Sequence, residues 1–138
     1  LDVVGQQSRI AAACQALGGA GMRVSLFIDP DEDQVEAARA ADAPVIELHT
    51  GAYADAEDED LRQQELDRIR AASELADRIG LQVNAGHGLH YHNVQPVARI
   101  PEIRELNIGH AIIARSIFDG LSTAVIEMKR LMIEARLR

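Results

Sequence analysis

His87, a histidine with a glycine on each side, is the residue of this chain best suited to chemistry. Three of the five histidines lie within residues 84–93, directly after the short, mainly apolar run 81–83. Imidazole exchanges protons near neutral pH, so an unhindered histidine at the end of a strand suits general acid–base catalysis. A strand-end histidine is otherwise a hydrogen-bonded structural residue, but flanking glycines let the backbone approach a ligand closely. We therefore predict a catalytic or ligand-contacting role for His87.

The turn at Gly109 and His110 is a second candidate, because it leads from an apolar strand straight into a helix-forming run. N–H groups at a helix start bind anions, and in (β/α)8 barrels the phosphate site is frequently built after the last two strands. The pattern predicts that Gly109 and His110 bind a phosphate. The alternative is a tight packing turn in which the glycine only relieves crowding.

Glu47 interrupts the apolar strand 45–48. Ionisable groups that intrude in this way cluster at functional sites. Side chains alternate along a strand, so Glu47 and His49 lie on the same face. We predict a site role for Glu47, with His49 as a lesser candidate. A buried structural pairing of Glu47 with a basic residue is the competing interpretation.

His90 and His92 raise the question of a metal site. Their spacing from His87 does not match the usual helical zinc spacing, and residues 84–93 contain no aspartate or cysteine. We predict no metal site, and we interpret His90 and His92 as loop residues.

Two further segments have simpler interpretations. The acidic run 55–60 is predicted to be a solvated loop whose carboxylates favour the N-terminus of the next helix. Residues 50–54, just before it, are long enough to be mobile, and a lid is conceivable there.

Apolar strands alternate with amphipathic helices along the whole chain. Short apolar runs predict strands at 24–28, 45–48, 81–84 and 106–108. Residues 29–31, Asp-Pro-Asp, are predicted to open a helix, and Gly18-Gly19 and Gly80 to end helices. Residues 121–135 carry one apolar face over four turns and predict the last helix.

This alternation implies a parallel sheet with right-handed crossovers. A doubly wound sheet would bring a glycine-rich fingerprint after the first strand, but acidic residues 29–33 follow it instead. A (β/α)8 (TIM) barrel places polar groups at strand ends, as seen here. Four strands cannot close a barrel, so residues 1–138 are expected to be the second half of a single barrel domain, roughly its strands five to eight.

Composition narrows the function classes. The net charge of −8 and the four aromatic residues argue against binding nucleic acid. No apolar run approaches 18 residues and no leader pattern is present, so we expect no membrane span and a cytoplasmic location. The single cysteine, Cys14, has apolar neighbours at helical spacing and is predicted to lie in the core.

Several segments resemble the pyridoxine 5'-phosphate synthase family, in order along essentially the whole chain. The most specific are Ile46-Glu47-Leu48-His49-Thr50-Gly51, Asn84-Ala85-Gly86-His87-Gly88-Leu89 and Asn107-Ile108-Gly109-His110-Ala111-Ile112. The resemblance implies a (β/α)8 barrel that condenses 3-amino-2-oxopropyl phosphate with 1-deoxy-D-xylulose 5-phosphate to pyridoxine 5'-phosphate, inorganic phosphate and water. It implies a transferase of vitamin B6 biosynthesis that needs no metal or organic cofactor.

The resemblance also assigns roles to residues. His87 would be the proton donor, Gly88, Gly109 and His110 would bind the aminoketone phosphate, and Glu47 would be a glutamate of the catalytic pocket. The family's other catalytic histidine and glutamate, and the groups that hold the sugar phosphate, would belong to the first half of the barrel. Partners would be phosphorylated small molecules and further copies of the chain, since the family tends to form octamers.

Two other functions stay open on the residues alone. One is another phosphate-binding barrel enzyme, an isomerase or an aldolase, but the only lysine, Lys129, lies in the predicted last helix and not at a strand end. The other is a non-catalytic half-barrel that dimerises through its open sheet edges.

Overall fold

The computed structural model describes residues 1–137, which fold as alternating helices and strands. Its strands are β1 (Ser25–Ile28), β2 (Val45–His49), β3 (Gln82–Gly86) and β4 (Ile103–Asn107). Its helices are α1 (Gln7–Gly19), α2 (Glu32–Ala40), α3 (Gly51–Asp55), α4 (Glu59–Arg78), α5 (Val94–Ala98), α6 (His110–Asp119) and α7 (Leu121–Arg136), preceded by a 3-10 turn at Val4–Gln6. The predicted α/β class is confirmed.

The four strands form one sheet in the order β1-β2-β3-β4, and every neighbouring pair is parallel. Each strand is connected to the next through one or two helices, as parallel pairing requires. A parallel sheet of four strands with such crossovers fits a partial (β/α)8 barrel.

One face of the sheet carries the hydrophobic core against the helices. Its largest buried side chains include Ile28, Ile46, Leu48, Val83 and Ile103, each at most 2% exposed. Cys14 of α1 is buried in the same cluster, as predicted. The opposite face, which we call the polar face, presents two hydrogen-bonded pairs of side chains: Asn84 with Glu105, and Asn107 with Glu47.

The strand predicted at 106–108 was misplaced: β4 covers Ile103–Asn107. The β3–β4 register shifts at Val83/Asn84, so that Val83 pairs with Ile103 but Asn84 pairs with Glu105. Arg104 is thereby skipped, and the alternation of buried and exposed side chains reverses within the strand. Strands are identified in a sequence by the alternation of apolar and polar residues, and the reversal interrupts this alternation.

Helix ends follow the predicted signals. Asp31 caps α2 by accepting a hydrogen bond from the N–H of Gln34, and Asp58 caps α4 by accepting one from Leu61. The acids of residues 58–60 thus support the start of α4, as predicted. The run 55–60 is not one loop, however, because Asp55 ends α3 and Glu59 begins α4, which leaves only residues 56–58 between the helices. Gly80 has a φ of +84° just after α4, and α1 ends at Gly19.

Residues 51–55 form the short helix α3 instead of an open loop. The Tyr53 side chain is 1% exposed, and its hydroxyl donates to the carbonyl oxygen of Asn93 at 2.8 Å. Burial of this large ring anchors the segment that follows β2 to the segment that follows β3.

No helix within residues 1–137 combines the length and the apolar composition that a bilayer crossing requires.

Candidate active site

A cleft of about 520 Å³ lies at the carboxyl ends of the strands and is lined by five of the predicted site residues, whereas the lesser candidate His49 is not part of its lining. It is lined by Phe27, Glu47, His87, Gly88, Leu89, His90, Asn107, Ile108, Gly109, His110 and Ala111. The lining comes from the ends of β1, β2 and β4 and from the segments that follow β3 and β4. The carboxyl edge of a parallel sheet is where ligands bind in such folds.

His87 has a φ of +82°, in the left-handed region that residues with a side chain rarely occupy. Thr50 holds this conformation from β2's side: its hydroxyl oxygen lies 2.8 Å from the carbonyl oxygen of Gly86 and 2.6 Å from that of His87. The N–H of Thr50 also donates to Gly86. A strained residue held by a buried partner is typical of sites where geometry serves function.

Gly88 continues the left-handed backbone with a φ of +74°, and here glycine is required. An added Cβ would lie 2.5 Å from the Cβ of Ala54 in α3. The close approach of α3 therefore fixes the path of the chain immediately after His87.

The ring of His49 packs against the ring of His87, with 4.7 Å between the centroids. His49 also makes a T-shaped contact with the ring of Phe27, with 5.1 Å between the ring centroids. Its Nδ1 lies 3.5 Å from Oδ1 of Asp29. Gly51 leaves room for both imidazoles, since a Cβ there would lie 2.6 Å from His49 and 3.3 Å from His87. His49 thus packs between Phe27 and His87, next to the cleft.

Glu47 is held on the polar face by an amide from a strand that is not its neighbour. Nδ2 of Asn107 donates to Oε2 of Glu47 at 2.7 Å, from β4 to β2, across Gly86 of β3. This partner is neutral, and among residues 1–137 no basic side chain pairs with Glu47, which was the predicted alternative. The other carboxylate oxygen, Oε1, lies over Gly86.

Helix α6 begins at His110 directly after the turn, as predicted. Its N-cap, Gly109, has no side chain to accept a hydrogen bond, and the first intrahelical bond to it runs from Ile113. The N–H groups of the first turn therefore lack intrahelical acceptors, and this end of the helix borders the cleft.

Within residues 1–137, nothing requires a glycine at position 109. Its φ of −104° suits any residue, and an added Cβ would meet no atom of these residues within 4 Å. Crowding by residues 1–137, the alternative to phosphate binding, therefore does not account for Gly109.

His90 and His92 lie beyond His87 in the loop predicted for them. His90 borders the cleft, its N–H donates to Asn93, and its Nδ1 accepts from the N–H of His92. Burial lowers the pKa of His90, and the nearby His92 lowers it further. Within residues 1–137 no three His, Cys, Asp or Glu side chains are grouped closely enough to hold a metal ion.

The sequence does not single out two residues that contact the site, Asn107 and Thr50. They occur only as parts of longer motifs, and nothing in their own neighbourhood marks a function. The signals that could have indicated them are positional, since both directly follow or end a strand at the edge where polar residues collect.

Together, the fold and the cleft define a parallel α/β protein in which imidazole, carboxylate and helix-start N–H groups meet at the carboxyl edge of the sheet. Residues 1–134 match the family model described as Pyridoxal phosphate biosynthesis protein PdxJ. The chain is also 59% identical over 136 residues to pyridoxine 5'-phosphate synthase of Pseudoalteromonas translucida (strain TAC 125). The chain belongs to the PdxJ family, and the resemblance seen in its motifs is confirmed.

The alignment with the Pseudoalteromonas protein covers 99% of this chain and 56% of that protein. The chain thus spans little more than half the length of the curated relative it matches.

Proposed function

We propose that the protein containing this chain is a pyridoxine 5'-phosphate synthase. It would condense 3-amino-2-oxopropyl phosphate with 1-deoxy-D-xylulose 5-phosphate, releasing inorganic phosphate and water. Residues 1–138 would supply strands five to eight of its (β/α)8 barrel. Family membership and the identity to the Pseudoalteromonas enzyme support the assignment.

The observation that carries the proposal is the convergence of all five predicted site residues on one cleft. Glu47, His87, Gly88, Gly109 and His110 come from three different βα units and line the same 520 Å³ space. Residues so far apart in sequence meet there only because the carboxyl ends of parallel strands share an edge.

In this proposal the start of α6 anchors the phosphate of the aminoketone substrate. The N–H groups of the first turn and the positive end of the helix favour an anion, and a backbone without a Cβ at Gly109 lets it approach. Fixing one substrate by its phosphate holds its amine and carbonyl carbon in register with the side chains of the cleft.

His87 would then donate protons to the reacting carbonyl and hydroxyl oxygens. Imine formation, loss of water, loss of phosphate and ring closure each require proton transfer. Thr50 holds the backbone of His87, and the ring of His49 packs against the ring of His87. In this proposal the imidazole is already positioned when the substrate binds, which lowers the entropic part of the barrier. Glu47, which lines the same cleft, would accept a proton from the reacting nitrogen or stabilise the positive charge that arises on it.

The aldolase alternative requires a lysine for a Schiff base. The chain's single lysine, Lys129, is exposed on α7, and among residues 1–137 the cleft is lined without one. The visible part of the site therefore supports acid–base chemistry.

We further propose that the protein acts in the cytoplasm as a homo-oligomer. Large apolar side chains of α6 and α7 stay exposed in residues 1–137, and they include Ile117 at 77% and Phe118 at 87%. Apolar surface of this kind is suited to burial by the remaining barrel or by further subunits.

The test is an assay of the full-length protein with both authentic substrates, with pyridoxine 5'-phosphate detected by mass spectrometry. Product formation is expected, and its absence would overturn the assignment. In the same protein, His87→Asn is expected to lower kcat by about 100-fold or more, as loss of a general acid does. Near-normal turnover would remove His87 as the proton donor.

A further inference from the structure

The position of Glu47 raises the question of what places its carboxylate. Along the sheet, Glu47 pairs with Asn84 of β3, and Asn84 pairs with Glu105 of β4. The side chain nearest to Glu47 on the polar face would thus be Asn84. Its carboxylate is instead bound by Asn107, which lies one row closer to the mouth of the cleft and two strands away.

Asn84 is already committed elsewhere. Its Nδ2 donates to Glu105 at 3.3 Å, and its Oδ1 accepts from Gln82 at 3.0 Å. Each carboxylate of the polar face therefore has its own asparagine: Glu105 is held by Asn84, and Glu47 by Asn107. This division keeps the two acids on different rows.

The reach from β2 to β4 depends on the strand between them. Gly86 is the register partner of both His49 and Asn107, and it presents no side chain to the cleft. A Cβ on Gly86 would lie 2.6 Å from Oε1 of Glu47 and 3.0 Å from the Cβ of Asn107. The glycine leaves a gap that the Glu47–Asn107 pair fills.

The register shift in β4 supplies the remaining condition. Because the ladder skips Arg104, Glu105 and Asn107 face the same side as Asn84 and Gly86. Without the shift, Leu106 would oppose Gly86, and Asn107 would point to the core face. Irregularities of this kind commonly re-aim a side chain next to an active site.

We infer that Asn107 is the positioning residue of Glu47: its amide holds the carboxylate away from the row of Asn84 and Glu105 and at the mouth of the cleft that His87 also lines. The amide of Asn107 donates to Oε2 alone, which leaves Oε1 available to a substrate. The inference rests on the proposed function, because it concerns a residue of that reaction.

The test is a mutant cycle in the full-length protein with both substrates. Asn107→Ala is expected to lower kcat roughly 10- to 100-fold, the range for loss of an orienting partner, and to change KM by less than about 3-fold. Asn107→Asp keeps the shape of the side chain but replaces the donor by an acceptor, and it is expected to lose at least as much.

The decisive comparison uses Glu47→Ala. If Asn107 acts through Glu47, the Asn107→Ala change is expected to cost no more than about 2-fold in kcat in a Glu47→Ala background. A loss of kcat that persists in that background overturns the inference, and so does a Glu47→Ala variant with wild-type kcat. Wild-type kcat in Asn107→Ala overturns it as well.

A matched control and an activity-independent readout complete the experiment. Gln63 donates to Asp67 at 2.9 Å on exposed α4, so Gln63→Ala breaks an amide–carboxylate pair far from the cleft and is expected to leave kcat unchanged. A crystal structure of the Asn107→Ala variant is expected to show Glu47 displaced toward Asn84, and an unmoved carboxylate contradicts positioning. A wild-type protein that makes no product refutes the proposed function instead.

Discussion

The hydroxyl oxygen of Thr50 lies 2.6 Å from the carbonyl oxygen of His87, the residue with left-handed backbone at the centre of the cleft. Thr50 is fully buried and directly follows β2, whereas His87 directly follows β3. One hydroxyl therefore connects the ends of two neighbouring strands and holds a conformation that the local sequence does not favour.

Thr50→Val keeps the shape of the side chain and removes the hydroxyl. The carbonyl of His87 loses its buried donor, whereas that of Gly86 keeps the N–H of Thr50. The free energy of unfolding is therefore expected to fall by about 1–3 kcal/mol. Urea denaturation measures this change, and a lower kcat is expected because the backbone of His87 loses its support. Thr123→Val, on the exposed surface of α7, is the matched control and is expected to stay within about 0.5 kcal/mol. Equal stability of the two variants would contradict this role for Thr50.

Gly86→Ala places a methyl group between Glu47 and Asn107. The Cβ would lie 2.6 Å from the carboxylate and 2.8 Å from the carbonyl oxygen of Asn107, so one of them must move. A loss of about 1–3 kcal/mol in stability is expected from such overpacking, together with a fall in kcat.

Gly18→Ala provides the control for that substitution. Gly18 lies in α1, and an added Cβ would meet nothing within 4 Å. Alanine in a helix is expected to raise the free energy of unfolding by about 0.5–1 kcal/mol and to leave kcat unchanged. If Gly86→Ala behaved like Gly18→Ala, the gap over β3 would have no steric importance.

Tyr53→Phe removes the buried hydroxyl that donates to Asn93. The carbonyl of Asn93 is then left without this donor, and a loss of about 1 kcal/mol is expected in thermal or urea denaturation. Because α3 also packs against Gly88, we expect the loop after His87 to exchange its amide hydrogens faster in the variant. Unchanged exchange in residues 87–93 would show that Tyr53 does not anchor this loop.

His90 makes stability depend on pH. Burial lowers its pKa in the folded protein, so the unfolded chain binds the proton more tightly. Its contribution is fully present above the pKa of the unfolded chain and is lost as the pH falls toward the folded value. Between about pH 7.5 and about pH 5, the melting temperature of the wild type is expected to fall more than that of His90→Gln. If the melting temperatures of the two proteins fell equally across this range, His90 would be excluded as the cause.

The order of elements was predictable because each is specified by neighbouring residues. The apolar run 45–48, the helix opening at residues 29–31 and the glycine after α4 are local signals, and a strand, a helix start and a helix end lie where they predict. The strand β4 was misplaced because the skipped Arg104 breaks the alternation that identifies a strand.

That His87, Gly109 and Glu47 lie at one edge of the sheet was predictable, because each lies near the carboxyl end of a strand or just after it and is marked by a glycine or an intruding charge. The contact of Asn107 with Glu47 was not, because it depends on a register shift in one strand and on a glycine in another. The contact between His49 and His87 likewise depends on the space left by Gly51. The sequence does not reveal this space, because it exists only once the chain is folded.

The strands of the sheet lie in the same order as they occur in the chain, β1-β2-β3-β4. Each strand from β2 to β4 therefore pairs with the strand that precedes it in the chain. Each pairing closes a loop that contains only the helices between those two strands. Pairings between nearby segments cost less loop-closure entropy and form faster than distant ones. We therefore expect the pairings that bring Glu47, His87 and His110 together at the carboxyl edge of the sheet to form early in folding.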